Sequence, residues 1–381
     1  MTSRIPSLTT SELTCPINGE LIKHGSTQHS WRGSTGMLVD PSFGNGHDDA
    51  TPEIERILSR ITEKRSGTWR HGGGLEFSSG IYRITKTIEL PSAMGFVMSG
   101  KGTAFTPPAR GILPNGGPWL VPRIAMLGTA LLWDGPPDEP MIRWDGIGGA
   151  FRDFSLWGQK RADDGTTNGR DDGFQASSGI EVRKCRGLAS GHSSFENLSV
   201  AHADQAFKFG DLPTDGNCAD VSMDRVQCYQ CNRFMLVKNT FGVNYRIGMA
   251  IAVQTPTVFD FEYGGCLDAQ YVAIEHIDTF LITGAQGTGN GSFRFGTVKL
   301  DLQQGYAKPE FPCLVECRES QKIAVDFSVI HAPEGLREFP RDSSPVWDLR
   351  DKVDVHVERA RYMPPAAHSR LSYGRVEYQS L

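Results

Sequence analysis

Apolar and polar residues alternate along most of this chain, in short bursts broken by Gly, Pro and polar clusters. One stretch has a different period. Ile54, Ile57, Leu58 and Ile61 fall at helical spacing between Asp49 and Lys64, with Thr51 as a candidate N-cap and Pro52 in the first turn. The spacing predicts a helix over residues 50–64. Beyond it, Leu75-Glu76-Phe77, Tyr82-Arg83-Ile84 and Thr87-Ile88-Glu89-Leu90 read as short strands separated by turn formers. Residues 103–127, rich in Pro and Gly, read as a long loop.

From about residue 129 a loose repeat sets in. Phe195-Glu196-Asn197-Leu198-Ser199-Val200 matches Phe151-Arg152-Asp153-Phe154-Ser155-Leu156, and Met223-Asp224-Arg225-Val226-Gln227-Cys228 has the same shape. A second apolar strand follows at a fixed offset of 11 residues: Ala206 after Phe195, Phe234 after Met223, Phe280 after Ala269. Weaker copies lie at 295–302, 323–329 and 353–357. The spacing between units varies, 28 residues from Phe195 to Met223 and 46 from Met223 to Ala269. A coil with fixed strands and variable loops gives that pattern, whereas a two-sheet sandwich has no need of a constant offset. Alternate side chains point inward, so Leu198 and Val200 are expected to stack on Val226 and Cys228, and then on Val272 and Ile274. The expected fold class is all-β, a parallel β-helix from about residue 70 to 360 capped by the helix. The domain reading is an N-terminal arm or cap over 1–48, the coil with its capping helix over 49–362, and a C-terminal tail over 363–381.

Composition narrows the partners. The 381 residues carry a net charge of -5, which argues against nucleic acid, because phosphate binding wants clustered Lys and Arg. No apolar run approaches the roughly 20 residues that cross a bilayer, and the first residues lack the apolar core of a signal peptide, so localisation stays open. With 43 Gly and 22 Pro, turns are frequent enough for many short strands. The eight cysteines sit mostly in apolar strand-like runs and read as reduced, buried side chains. Cys228 and Cys231 lack the second pair that a structural zinc site wants.

Gly44-Asn45-Gly46-His47-Asp48-Asp49, then the helix, then Gly72-Gly73-Gly74-Leu75-Glu76-Phe77, Gly80-Ile81-Tyr82-Arg83-Ile84 and Gly100-Lys101-Gly102 form an ordered set over about 60 residues. This set resembles the opening of right-handed parallel β-helix proteins of the pectate-lyase superfamily, phage tail-spike relatives included. Asn45 stands where the pattern has Asp, and Ser79 where it has Pro. The resemblance implies the fold. It leaves the reaction open, because the superfamily spans lyases, hydrolases, epimerases and fibres without activity. The Asn-Thr-Asp, Asp-Asp, Gly-His-Gly and Arg-Ile-Lys of polygalacturonase-like members do not occur in the rungs.

Candidate chemistry therefore lies on the outward face of the coil. Glu275 and Asp301 are predicted as carboxylates on adjacent rungs about 4.8 Å apart, within the span used by glycosidase pairs. Lys299, expected between them, and Arg225 supply cations that could neutralise a uronate; the candidate catalytic set is Glu275, Asp301, Lys299 and Arg225. Tyr229, Tyr271 and Trp157 offer flat faces for sugar rings, and His202 and Asp204 mark the corner after a strand; these are the candidate substrate-binding residues. His276 has inward parity and reads as a packing residue. The loop 158–178 carries Asp163, Asp164, Asp171 and Asp172, oxygen ligands that could hold Ca²⁺; no other cofactor is implied. Three functions remain open: a lyase or glycoside hydrolase acting on an acidic polysaccharide, a glycan-binding or structural β-helix without catalysis, and a spike with depolymerase activity, expected as a homotrimer.

Overall fold

The computed structural model describes residues 36–63, 73–91, 95–103, 109–112, 118–121, 128–146, 148–158, 176–183, 192–211, 218–239, 244–284, 291–301, 312–318, 322–332, 347–349, 353–363 and 371–378. The chain opens with β1 (Met37–Leu38), β2 (Asn45–Asp49) and α1 (Thr51–Glu63). A first coil follows in β3 (Gly74–Glu76), β4 (Gly80–Ile84) and β5 (Ile88–Leu90). The next is β6 (Val97–Ser99), an excursion β7 (Ala109–Ile112) and β8 (Pro118–Val121), then β9 (Thr129–Trp133) and β10 (Ile142–Trp144). Residues 103–127, expected as a loop, thus contain an antiparallel hairpin of β7 and β8.

The later coils each hold a long strand and a shorter one: β11 (Ala150–Trp157) with β12 (Ala176–Val182), β13 (Ser193–Ala201) with β14 (Ala203–Phe209), β15 (Val221–Tyr229) with β16 (Arg233–Val237), and β17 (Tyr245–Val253) with β18 (Thr257–Phe261). Then come β19 (Gly265–Glu275) with β20 (Thr279–Thr283), β21 (Gly291–Asp301) with β22 (Cys313–Cys317), β23 (Ile323–His331) with β24 (Trp347–Asp348), and finally β25 (Val353–Met363) and β26 (Leu371–Tyr378). The long strands pair in parallel from β11 to β26, and the short ones from β5 to β24. This is a parallel β-helix capped by α1. It runs past residue 362, because β26 pairs with β25, and at its start β1 pairs with β3.

Each long strand is bent and serves two sides of the coil. The first half of β11 pairs with β6 (Phe151 opposite Met98), and the second half with β9 (Leu156 opposite Leu131). The halves meet at Asp153, whose φ is 63°; Asn197 (49°) and Arg225 (51°) take the same place in β13 and β15. A left-handed residue turns the strand without ending its pairing, and Asn197 Nδ2 donates to Asp153 Oδ1 across 2.8 Å. The cross-section is therefore three-sided. A second column of left-handed residues, His202, Gln230, Gln254 and His276, closes the second side, with Gln230 Nε2 donating to Gln254 Oε1 at 2.6 Å.

The interior is a set of stacks along the coil axis. Phe151 lies on Phe195 with centroids 5.1 Å apart, and Phe295 on Phe327 at the same separation. Leu198 and Val200 pair with Val226 and Cys228 as expected. The next rung is β17, so Ala250 and Ala252 intervene before Val272 and Ile274. The 46-residue spacing contains a whole coil that the sequence pattern passed over. At the N-terminal end, Ile54, Ile57, Leu58 and Ile61 are buried in the main core, so α1 covers the open end of the stack. Cys218, Cys228, Cys231, Cys266, Cys313 and Cys317 are all free thiols, and burial pushes the Cys228 thiol well up. Cys15 and Cys185 lie outside the described residues.

Candidate functional site

The outer surface of the second side is organised by register. One column runs Trp157, Ala201, Tyr229, Val253, Glu275, Asp301. The next runs Ser155, Ser199, Gln227, Ile251, Ala273, Lys299, His331. Glu275 and Asp301 are direct partners on β19 and β21. Lys299 does not lie between them: its partner is Ala273, and it precedes Asp301 by two residues on the same strand. Tyr271 shares the strand with Glu275, opposite Met249 and Thr297, and is partly exposed.

His276, read from the sequence as a packing residue, is largely buried, with its side chain 10% exposed. Its φ of 52° turns it at the corner, where its Nε2 lies 3.6 Å from Glu275 Oε1. Arg225 stands apart from this group. It occupies the bend column two rungs away, exposed, with its Nε 3.7 Å from Asp224 Oδ2. Tyr229 is in the Glu275 column but separated from it by Val253, and its ring meets His202 edge-on at 6.1 Å. Asp204 accepts from Asn232 Nδ2 at 2.7 Å and from the Gln205 side chain, so it braces the corner.

Trp157 points outward yet is only 1% exposed, in a small outer cluster with Ala130, Leu132 and Ala201 against which Ile81 and Tyr229 pack. It presents no face to a sugar. The second side is therefore covered over its N-terminal rungs and opens at about Tyr229. Asp163, Asp164, Asp171 and Asp172 lie outside the described residues, and among the described residues no group of three or more ligating side chains converges on a metal position.

The third side carries charged groups that the sequence reading missed. Its outward column is Glu89, Arg143, Glu181, Lys208, Leu236, Asp260, Ile282, Glu316 and Asp348. The first four alternate in sign and are bonded throughout: Arg143 reaches Glu89 at 2.6 Å and Glu181 at 2.7 Å, and Lys208 reaches Glu181 at 2.7 Å. Burial works against the Arg143 charge, but its bonds to Glu181 and Glu89 hold the guanidinium more firmly protonated than usual. At Leu236 the alternation stops. Asp260 sits between the buried Leu236 and Ile282, and burial pushes its carboxyl above the ordinary range despite Arg233 Nε at 3.0 Å. Burial raises Glu262 in the same way, two residues further along the chain. The available signal was Phe259-Asp260-Phe261-Glu262, an inward–outward alternation starting 11 residues after Gly248 in the coil that the pattern passed over.

No helix among the described residues is long and apolar enough to cross a membrane. No family model matches the chain, and no curated protein matches it. Among solved structures it is similar to DFA-IIIase from Arthrobacter chlorophenolicus A6, a mutant in complex with DFA-III, with a TM-score of 0.42 and 13% identity over 86% of this chain and 68% of that one.

Proposed function

We propose that this is a polysaccharide-active β-helix protein that holds an acidic polysaccharide along the second side of its coil and cleaves it, as a lyase or a glycoside hydrolase, at Glu275 and Asp301. The observation that carries the reading is the direct pairing of these two acidic positions on neighbouring rungs. A ladder about 4.8 Å in rise fixes their backbone separation, and rigid spacing is what acid–base chemistry at one glycosidic bond needs. Lys299, on the same strand and outward parity as Asp301, is suited to neutralise a uronate. His276 lies beside Glu275, with its Nε2 3.6 Å from Glu275 Oε1. Tyr271 supports a sugar ring.

The second reading is a glycan-binding or fibre component without catalysis. It is favoured by the cover over Trp157 and its neighbours, which shortens the open face. Incubation with a panel of acidic polysaccharides separates the two. Elimination gives an unsaturated sugar that absorbs in the ultraviolet, hydrolysis gives reducing ends without that absorbance, and a binder gives neither. Repeating the assay in chelator tests a Ca²⁺ requirement, and sedimentation tests for a trimer.

A further inference from the structure

On the third side, Glu181 and Asp260 form an internal comparison. Both are outward carboxylates whose side chains are nearly inaccessible, 6% and 4% exposed. Glu181 has a donor on each oxygen, Arg143 on one and Lys208 on the other. Asp260 has a donor on Oδ2 alone, from Arg233, and its buried Oδ1 has no partner among the described residues. A buried carboxyl oxygen without a donor is costly, and the rungs above and below offer only Leu236 and Ile282.

The neighbouring column explains where a donor could come from. The backbone ladder Lys238 N to Phe209 O, Glu262 N to Val237 O, Gly284 N to Phe261 O and Arg318 N to Thr283 O places Lys238, Glu262, Gly284 and Arg318 on successive rungs. Gly284, with φ 75°, brings no side chain between Glu262 and Arg318. Two rung steps separate Glu262 and Arg318 by about 10 Å at the backbone, and among the described residues no side chain of this column stands between them. The cations at its rim are partly exposed, and among the described residues each makes one ion pair: Arg318 with Glu316 at 2.7 Å, Lys238 with Glu262 at 3.8 Å.

We propose that this notch, bounded by Glu262, Gly284 and Arg318 and adjoining Asp260, is a second carbohydrate-binding site that takes an acidic sugar. A sugar hydroxyl donates to Asp260 Oδ1, and the sugar carboxylate meets Arg318 or Lys238. Oδ1 is buried, so binding there requires a local shift, and Arg233, 35% exposed and bonded to Oδ2, is the neighbouring side chain with room to make it. The mixed set favours a uronate over a neutral sugar, which would leave the rim cations unused, and over a plain anion, which would leave Oδ1 unmet. The site lies on a different sheet from Glu275 and does not depend on cleavage there.

The test is calorimetric titration with a galacturonate hexasaccharide, using the full chain. Wild type should bind, and Lys238→Gln with Arg318→Gln should weaken binding at least about tenfold, since each removes a charge-assisted contact. Glu275→Gln with Asp301→Asn should leave binding at the notch in place while abolishing any turnover. Thermal melts of the rim variants confirm folding, and Lys238→Gln alone serves if the double variant is unstable. Absence of binding by wild type, or unchanged affinity in folded rim variants, overturns the proposal. Absence of product with binding retained counts against the cleavage reading alone.

Discussion

Two residues show how position on the coil sets the behaviour of a charge. Burial raises the Asp260 carboxyl, so its charged form is worse off in the folded chain than in the unfolded one. The sign follows from linkage. A raised group contributes stability at acidic pH, below its unfolded value, and that contribution is lost as pH rises through the folded value. The melting difference between Asp260→Asn and wild type should therefore favour the variant more at neutral pH than at acidic pH. An unchanged difference across that range in paired thermal melts would show that the Asp260 carboxyl titrates alike in the folded and unfolded chain. Arg225 is governed by its backbone. With φ at 51° it occupies a conformation that costs an ordinary residue about 1 kcal/mol and that Asn tolerates. Arg225→Asn should raise stability by about that amount, since Asn197 already donates to Asp153 one rung earlier in the same column. A large loss of turnover in that variant would restore the catalytic role that outward parity suggested. Parity was legible in the sequence for Glu275 and Lys299. Openness was not: Trp157 has the right parity and is buried beneath other parts of the chain, which alternation along one strand does not reveal.

The strands were read wherever the outward residues were polar. β13 and β15 alternate clearly, and their 11-residue offset to β14 and β16 holds in the structure. β17 escaped because Ile251 and Val253 point outward, so after Arg246 no polar beat marks the strand. That omission also hid β18, and with it Asp260 and Glu262. The helix was legible because its four apolar positions share one face, which is the face that closes the coil. Between these elements the aromatic stacks provide the continuity. Phe295 contacts Phe259, Phe280 and Phe327, with centroids 5.8, 4.8 and 5.1 Å away. Phe295→Ala should cost about 3–5 kcal/mol, the range for an emptied aromatic site. Because each rung contacts only its neighbours, the loss should be felt first in the C-terminal coils. Hydrogen exchange should show β21 to β25 opening before β11 to β15, and uniform loosening would instead mean that the coil melts as one unit.

At the scale of the whole molecule, a three-sided coil lets one chain present different chemistry on each long face. The second side is sealed over its first rungs by the Trp157 cluster and carries its acidic pair further on, at β19 and β21. A polymer lying along the axis would thus meet Tyr229 and Val253 before it meets Glu275 and Asp301. If the pair transfers protons, Glu275→Gln and Asp301→Asn should each lower turnover at least about a hundredfold. In Glu275→Gln stability should change little, since Glu275 lies on the outer face of β19. Lys299→Ala should act differently. Opposite Ala273 and two residues before Asp301, it binds the substrate's charge on the proposed reading, so its loss should raise KM more than it lowers kcat. Salt should act in the same direction, because a partly exposed cation is screened within about 8 Å at physiological ionic strength. Wild-type rates in both carboxyl variants, on a polysaccharide the protein demonstrably cleaves, would move the chemistry off this face. The third side would then be the place to look, since Asp260 and Glu262 are carboxyl groups that burial already holds toward the protonated form.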